Sequence, residues 1–219
     1  FEREARITAR LQHPAIVPVH EAGRLADGEP FYAMKWVSGR SLDRVVRDQA
    51  SWPERLALLP SVLAVVDAVA YAHSQRIIHR DLKPQNVLIG EFGETVVIDW
   101  GIAKDLAASA APTDEVGHGP YRKAEPAEDA GQTEAGAILG TLMYMPPEQA
   151  DGQPVTEAAD VYALGAILYQ VLSGHPPWTD VRTTTELLDR LAHSAPLALS
   201  QREPAVPRDL AGIVARAMA

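Results

Sequence analysis

The feature of this sequence that most constrains its fold is a polar run of eight residues, His79–Asn86, between apolar stretches. An acid, a cation and an amide, Asp81, Lys83 and Asn86, occur within six positions of this run. Read by itself, such a run is a solvated polar turn. A short loop can also aim three polar side chains into one cleft, which is the arrangement that a reaction centre requires.

The residues after this loop predict a β-hairpin that ends in a second polar motif. Val87–Ile89 and Thr95–Ile98 are short β-branched runs, and Gly90–Gly93 separates them. The tripeptide Asp-Trp-Gly follows at once, and its Asp99 lies thirteen residues beyond the end of the loop. An Asp-x-Gly sequence alone is more often a simple turn, but its position after the first motif favours a functional role.

Together the two motifs resemble those of the protein kinase family, whose catalytic loop reads His-Arg-Asp-Leu-Lys-Pro-x-Asn and whose next motif reads Asp-Phe-Gly. Trp100 stands here in place of the Phe. The resemblance implies that Asp81 orients the attacking hydroxyl and accepts its proton, while Lys83 neutralises the γ-phosphate. It also implies that Asn86 and Asp99 hold the metal, since hard Mg²⁺ prefers oxygen ligands. Lysine at position 83 is typical of Ser/Thr kinases.

The fold implied by this resemblance is α+β and bilobal, with an incomplete N-terminal β-sheet lobe and a mainly helical C-terminal lobe. The chain resembles a eukaryotic-like (Hanks-type) bacterial Ser/Thr protein kinase catalytic domain, truncated in the N-lobe and just before the end of the C-lobe. Residues 1–37 are expected to be the N-lobe remnant (αC, β4 and β5 of the family) and residues 38–219 the C-lobe. Within the C-lobe, residues 99–148 are expected to be a long flexible activation segment, because residues 107–136 contain almost no large apolar side chains.

Two segments extend the resemblance through the C-terminal half. Gly140–Glu148 resembles the segment ending in Ala-Pro-Glu that docks the substrate peptide, and its Thr141 is expected to hydrogen-bond the catalytic loop. In the family Glu148 pairs with an arginine, which is expected beyond Ala219. Asp160 opens a sequence that resembles the start of the central kinase helix, where the aspartate caps the helix and bonds the catalytic loop. Read without the family, Asp160 is an ordinary N-cap.

The first part of the chain resembles the ATP-binding side of a kinase. Glu4 occupies the position of the αC glutamate, which in a complete kinase pairs with a strand lysine, although it also reads as one surface acid on a charged helix. Met34 matches the gatekeeper residue, and Lys35, Trp36 and Val37 match the hinge that binds adenine. Methionine in a buried strand is usually core packing, and here it is expected to serve both purposes. No Gly-rich loop and no strand lysine precede Glu4, so the fragment as given is expected to bind ATP weakly or not at all.

The function implied by the resemblance is transfer of the ATP γ-phosphate to Ser/Thr hydroxyls of protein substrates, with ATP and Mg²⁺ as cofactors and Mn²⁺ as the alternative metal. A pseudokinase or binding scaffold is the alternative, although a scaffold need not keep Asp81, Lys83, Asn86 and Asp99. A small-molecule phosphotransferase of related fold is a third interpretation. It is disfavoured because such enzymes commonly carry His-Gly-Asp in the loop and lack a docking segment.

The composition of the chain excludes some classes of binding partner. The net charge of −9 argues against DNA or RNA, which require a basic face, and there are no cysteines for disulfides or thiolate sites. The apolar stretch Val62–Ala70 is interrupted by Asp67, so we expect no membrane contact from this segment. We therefore expect a cytoplasmic location, with any membrane anchor of the parent protein outside this chain.

Regulation is a hypothesis that depends on Arg80, the residue before the expected catalytic aspartate. In the family this arginine is typical of kinases that are switched by activation-loop phosphorylation, because arginine pairs with phosphate. Thr113 and Thr133 are the candidate phosphorylation sites, and Thr133 is favoured because it is closer to the docking segment. Self-association for trans-autophosphorylation is a corresponding expectation.

The spacing of apolar residues, together with the Gly and Pro residues that end helices and strands, predicts the remaining elements. A charged helix, two strands joined by a turn, a short helix, one long buried helix and three later helices are expected in that order. Their ranges are Glu2–Leu11, Ile16–Arg24, Pro30–Val37, Leu42–Arg47, Pro53–Ser74, Asp160–Leu172, Thr185–His193 and Pro207–Ala219.

Overall fold

The computed structural model describes residues 7–100, 103–105 and 139–219, with only the backbone described at positions 104 and 105. Glu4, Gly101, Thr113 and Thr133 therefore lie outside the described residues. The chain divides into two compact units, Phe1–Ala111 and Pro112–Ala219. The sequence-based division after residue 37 is not tested by this grouping and stays a prediction.

The described residues of the first unit form three small antiparallel sheets. Strands β1 (Val19–Arg24) and β2 (Pro30–Met34) form the predicted hairpin, and Gly28 takes a positive φ of 88° in the turn. The other strands are short: β3 (Arg40–Ser41), β4 (Ile77–Ile78), β5 (Val87–Ile89), β6 (Thr95–Val97) and β7 (Lys104–Asp105).

Strand β6 connects the second predicted hairpin to the preceding part of the unit. The sheet order is β3-β5-β6, and Val87 faces Val97 in the register of β5 and β6. The Val97 N–H donates to the Ala15 carbonyl at 2.8 Å, and the Val17 N–H donates to the Val97 carbonyl at 3.3 Å. Because Val97 is fully buried, this junction fixes the hairpin in the core of the unit.

The predicted long helix Pro53–Ser74 is two helices, which corrects the sequence interpretation. Helix α1 (Leu42–Asp48) comes first, followed by α2 (Trp52–Leu56) and α3 (Leu59–Ser74). The break has a local cause, because Pro60 lies in the first turn of α3, where its missing N–H costs nothing. Helix α2 begins with a capping box, in which the Ser51 N–H donates to Glu54 Oε2 at 2.8 Å.

The same capping box makes a pH-dependent contribution to folding. Its hydrogen bonds from Ser51 lower the pKa of the Glu54 carboxyl. The folded state therefore holds the ionised form more firmly than the unfolded state does. The bond stabilises the folded state at pH values above the pKa that Glu54 has in the unfolded chain. This stabilisation is lost as the pH falls through the lower pKa that Glu54 has in the folded state.

Helix α3 is less buried than its composition predicts. Val65 and Ala68 are fully buried, but Leu63 is 62% exposed and Val66 is 37% exposed. An 18-residue window within the stretch Trp52–Ser74 has a mean hydropathy of 1.7, so by length and composition alone the stretch could cross a membrane. This is a weak indication, because core helices of water-soluble proteins have the same composition, and the expectation of no membrane contact stays a prediction.

The second unit is helical in the part that the structure describes. Helix α4 (Pro147–Ala150) is short and α5 (Glu157–Ser173) is the longest, and three helices follow: α6 (Thr184–His193), α7 (Leu199–Arg202) and α8 (Arg208–Ala217). The four-residue α7 was not predicted, whereas the other two agree with the predicted ranges within three residues.

The N-cap of α5 is Thr156, and the interpretation of Asp160 as the cap was wrong. Thr156 Oγ1 accepts a hydrogen bond from the Ala158 N–H at 3.3 Å, while Asp160 lies in the first turn and is 1% exposed. The alanines before Asp160 are strong helix formers and extend the helix toward Thr156. At the other end Gly174 takes a left-handed φ of 79° and stops the helix as predicted.

Helices α5 and α8 pack closely because Gly165 has no side chain. A Cβ at position 165 would lie 2.8 Å from Ala217 Cβ and 2.8 Å from Met218 Cγ. These distances are shorter than real Cβ contacts, and Ala217 Cβ belongs to a side chain that cannot rotate away. Close packing at Gly165 therefore holds the last helix against the longest one.

We expect Gly165→Ala to destabilise the second unit, because overpacking of about 1–3 kcal/mol exceeds the helix-propensity gain of up to about 1 kcal/mol. Gly212→Ala is the matched control, since a Cβ at Gly212 in α8 meets nothing within 4 Å. Thermal unfolding should show a lower Tm for Gly165→Ala and an unchanged or higher Tm for Gly212→Ala. Equal Tm values for the two variants would contradict the close contact.

Candidate active site

The predicted catalytic loop lies in the first unit between β4 and β5. Ile77 and Ile78 are fully buried before it, and Leu82 is 2% exposed within it. Pro84–Asn86 forms a single 3-10 turn, in which the Asn86 N–H donates to the Lys83 carbonyl at 2.9 Å. The apolar anchors hold the loop to the core, so its polar side chains are fixed by the fold.

Three predicted site residues meet in this loop. Lys83 Nζ lies 2.9 Å from Asp81 Oδ2, and the side chains of Lys83 and Asp81 are 15% and 21% exposed. Asn86 Nδ2 donates to the Asp81 carbonyl at 2.9 Å and also to Asp81 Oδ2 at 3.3 Å. The Asp81 carboxylate is therefore oriented by one cation and one amide, while part of it faces solvent.

His79, the first residue of the loop, is completely buried and holds the loop backbone in place. Its Nε2 is 3.3 Å from the Ile98 carbonyl, and its Nδ1 is 3.3 Å from the Asp81 N–H. These partners require a neutral imidazole with the proton on Nε2, which donates to Ile98, while Nδ1 accepts from Asp81. His79 thus ties the backbone of the loop to the end of the β5–β6 hairpin.

The Trp100 side chain packs beside His79. The two ring centroids are 4.5 Å apart with an interplanar angle of 53°, and Trp100 is 1% exposed. Its indole N–H is buried and has no hydrogen-bond partner within the described ranges 7–100, 103–105 and 139–219. The aromatic side chain expected at this position is therefore buried and packs in the core. Its indole nitrogen makes no hydrogen bond within the described ranges.

Asp99 stands at the open end of the hairpin, one residue beyond Ile98, which lies opposite Asn86. The Ile98 N–H donates to the Asn86 carbonyl at 2.9 Å, so Asp99 is one residue beyond a direct backbone bond to Asn86. Asp99 is exposed and takes a left-handed φ of 63°, a conformation that few non-glycine residues adopt. Such strained positions cluster at functional sites, where the surrounding structure over-determines them.

Asn86 and Asp99 carry oxygen donors of the type that a hard divalent cation takes. Asn86 Nδ2 is bound to Asp81, so a metal at Asn86 would take the amide Oδ1. Magnesium is usually held by one or two carboxylates plus substrate phosphates and water, so a full protein cage is not required. Residues 7–100, 103–105 and 139–219 contain no cluster of three or more His, Asp or Glu side chains suited to a metal.

The hinge residues are more exposed than the sequence predicted. Met34 is 46% exposed and Trp36 is 90% exposed, so the expected core packing of Met34 was wrong. The Lys35 N–H donates to the Pro18 carbonyl at 3.0 Å, which ties this segment to the residues before β1. A cavity of about 500 Å³ is lined by Lys35 and Val37 together with Leu11, Ile16, Val19 and Val96.

A contact that the sequence analysis missed ties residues 12 and 13, at the end of the predicted helix Glu2–Leu11, to α3. The Tyr71 hydroxyl accepts a hydrogen bond from the Gln12 N–H at 3.1 Å, and the Tyr71 and His13 rings stack with centroids 5.4 Å apart. The two partners are 59 positions apart in the chain, so no local pattern signals the pairing. This contact anchors the segment that leads from the expected αC helix to β1.

The predicted docking segment, residues 140–148, lies in the second unit. Leu142 and Met145 belong to a buried cluster with Trp178, Val181, Leu187 and Leu191. Thr141 is partly buried, and its expected bond to the catalytic loop stays a prediction. At the end of the segment Glu148 lines a cavity of about 520 Å³ with Tyr162 and Arg216.

The surroundings of Tyr162 in this cavity shift its pKa. Burial raises the pKa of the Tyr162 phenol, and the negative charge of Glu148 raises it further. A tyrosine phenol is protonated at neutral pH in any environment like this, and the raised pKa extends the protonated, hydrogen-bond-donating form to higher pH. The expected pairing of Glu148 with an arginine beyond Ala219 stays a prediction.

Comparisons with known proteins identify the family to which the chain is similar. The sequence matches the protein kinase domain family over residues 1–209. Serine/threonine-protein kinase PknD of Protochlamydia amoebophila is 38% identical over 189 residues, which cover 81% of this chain and 19% of PknD. Serine/threonine-protein kinase PknH of Mycobacterium bovis is 34% identical over 221 residues, with 100% of this chain and 33% of PknH covered.

A further relative, serine/threonine-protein kinase PknB of Mycobacterium leprae, is 32% identical over 222 residues. That similarity covers 100% of this chain and 32% of PknB. The chain therefore spans between about a fifth and about a third of the length of these relatives.

Proposed function

The chain belongs to the protein kinase domain family, and from this premise we propose that the protein containing it transfers the ATP γ-phosphate to serine and threonine hydroxyls of other proteins. The single observation that carries the proposal is the Asp81–Lys83–Asn86 cluster. The Lys83 ammonium and the Asn86 amide each lie within 3.3 Å of the Asp81 carboxylate there, on a loop that is anchored in the core. This is the set of groups that phosphoryl transfer requires.

Asp81 is proposed to act on the attacking hydroxyl. Its carboxylate is partly exposed and is oriented by Lys83 and Asn86, so a substrate hydroxyl can reach its outer oxygen. The carboxylate would accept the hydroxyl proton as the new O–P bond forms. The Lys83 ammonium group would also lie near the γ-phosphate during transfer, because one ammonium group can contact the carboxylate and the phosphate together. There it would stabilise the negative charge of the phosphate.

The metal is proposed to be Mg²⁺, held by Asn86 Oδ1 and the Asp99 carboxylate, with Mn²⁺ as the alternative. When bound, the ion would neutralise charge on the β- and γ-phosphates. The exposure of Asp99 and its register beside Asn86 support this assignment. The left-handed backbone at Asp99 supports it as well, because the strain needs a compensating role.

ATP recognition is proposed to use the hinge residues Met34, Lys35, Trp36 and Val37 and the αC glutamate, Glu4. Exposure of Met34 and Trp36 leaves apolar surface available for a purine ring. Glu4 lies outside the described residues, and its role depends on the family resemblance alone.

Protein substrates are proposed to dock on residues 140–148, with Thr141 as the bond to the catalytic loop. Phosphorylation of Thr133, paired with Arg80, is the proposed switch, and self-association for trans-autophosphorylation is its proposed source. Thr133 lies outside the described residues. A cytoplasmic location of this domain also remains a proposal.

Phosphate transfer by the full-length protein tests this function directly. The protein is incubated with γ-labelled ATP, Mg²⁺ and a Ser/Thr peptide library, and the labelled amino acids are identified after hydrolysis. Phosphoserine or phosphothreonine is the expected product. ATP binding without any transfer would favour the pseudokinase alternative, and label on a small molecule alone would favour the phosphotransferase alternative.

A further inference from the structure

The cavity that Lys35 and Val37 line is separate from the candidate active site. Its volume is about 500 Å³, which is within the range of small-molecule sites. Its lining comes from residues 8–19, from the hinge residues Lys35 and Val37, and from Val96 of strand β6. Neither the loop His79–Asn86 nor Asp99 contributes to it. A ligand in this cavity would therefore be distinct from the reacting groups.

The cavity lies on the side of the hinge opposite to the proposed ATP surface. Lys35 and Val37 line the cavity, whereas Met34 and Trp36 do not. Side chains alternate between the two sides of an extended segment, so the two pairs lie on different faces. The proposed purine surface is formed by Met34 and Trp36, which are exposed. A ligand can therefore occupy the cavity while ATP is bound.

Backbone hydrogen bonds fix the walls of the cavity before any ligand binds. The Lys35 N–H donates to the Pro18 carbonyl at 3.0 Å, and both residues line the cavity. Val97, which follows Val96, is bonded through its N–H and its carbonyl to the residues on either side of Ile16. Preformed walls lower the ordering cost of binding, as in most small-molecule sites.

The lining combines mostly apolar side chains with a cation, the Lys35 ammonium. No Asp or Glu is among the described residues that line the cavity. The ammonium makes no ion pair within the part of the chain that the structure describes. His13 adds a donor, because its Nδ1 accepts from the Ala15 N–H at 3.2 Å and the neutral ring then carries its proton on Nε2. Both groups favour an anionic ligand.

We infer that this cavity binds a small carboxylate with an apolar alkyl or aryl body, and that the carboxylate pairs with Lys35. The apolar walls supply affinity without direction, and the ammonium orients the ligand. This inference goes beyond the proposed function, because the ligand is neither ATP, nor the metal, nor the protein substrate. Binding alone tests it, without any phosphate transfer.

Three probes with the same alkyl body and different head groups test the ligand class. Octanoate, octanol and octylamine are titrated into the full-length protein at neutral pH, and saturation-transfer NMR measures each Kd. We expect octanoate to bind about two- to fivefold more tightly than octanol, the range for one ion pair in contact with solvent. Octylamine should bind most weakly, because Lys35 repels it.

Ala9→Phe tests the location of the site. Ala9 lines the cavity and is exposed, so a larger side chain can enter the cavity without displacing buried residues. We expect the Kd of octanoate and octanol to rise roughly tenfold or more, because the ring takes the space of the ligand. Ala70→Phe is the matched control, since Ala70 is an exposed alanine of α3 that does not line the cavity. Its Kd values should equal those of the wild type.

Lys35→Met tests the charge. Methionine keeps an unbranched side chain of similar length and removes the ammonium group. The Kd of octanoate should rise to that of octanol, while the Kd of octanol stays within twofold of the wild-type value. Because Lys35 is also a proposed hinge residue, binding of the probes is the measurement here, and ATP turnover is not.

Three results would overturn the inference. They are no binding of octanoate to the wild type, octylamine binding as tightly as octanoate, and an octanoate Kd that Ala9→Phe leaves unchanged in a protein with wild-type Tm. A protein that transfers no phosphate but binds octanoate with these dependences would reject the proposed function and keep the inference.

Discussion

Replacing Asp81 by Asn is expected to lower kcat for phosphate transfer by roughly 10²–10⁴-fold, the usual contribution of a positioned general base. Asparagine has nearly the same shape and can still accept a bond from Lys83, whose Nζ lies 2.9 Å from Asp81 Oδ2. It cannot take up the hydroxyl proton. KM for ATP should therefore change little, and steady-state rates with γ-labelled ATP and the full-length protein measure both constants.

Asp67→Asn is the control for this substitution, because Asp67 is an exposed aspartate on helix α3. The change removes the same charge from the same unit, and surface substitutions usually alter stability by no more than about 0.5 kcal/mol. Its kcat should equal that of the wild type. Normal transfer by a correctly folded Asp81→Asn protein would remove the basis for assigning Asp81 to the reaction.

The catalytic loop could be predicted from the sequence because its chemistry is local. Asp81, Lys83 and Asn86 lie within six positions, so one turn brings them together without help from distant residues. The hairpin after the loop was equally local, since two β-branched runs around Gly90–Gly93 leave few alternatives. For the loop and the hairpin, the structure agrees with what the local sequence pattern predicts.

The break between α2 and α3 shows how an apolar run can hide a boundary. The mostly apolar composition from Pro53 to Ser74 predicted one continuous helix, yet Pro60 already marked a first helical turn. The residue before a proline also disfavours helical geometry. That signal was present in the sequence and was outweighed by the apolar pattern.

Burial and long-range bonds could not be predicted in the same way. The exposure of Met34 depends on which elements cover its strand, and strand composition alone contains no such information. The pairs Tyr71–Gln12 and Tyr144–Gln170 join residues 59 and 26 positions apart. Each bond is created by packing, so only the folded chain reveals it.

The second large effect is expected at the metal site. Asp99→Asn should reduce kcat/KM at low Mg²⁺ by roughly a hundredfold or more, since a metal ion contributes several kcal/mol and each 1.36 kcal/mol is tenfold. The amide lacks the negative charge that holds a hard cation. Titrating Mg²⁺ in the transfer assay should show a raised requirement, with partial recovery at high Mg²⁺.

Asparagine is the informative replacement at Asp99 because of the backbone there. The φ of 63° is left-handed, and Asn tolerates that conformation about as well as Asp, whereas Ala does not. Asp99→Asn therefore tests charge at constant backbone strain, and Asp99→Ala adds a folding cost that a lower Tm would report. An Asp99→Asn protein with the wild-type Mg²⁺ dependence and rate would show that Asp99 does not bind the metal, leaving Asn86 without its expected partner.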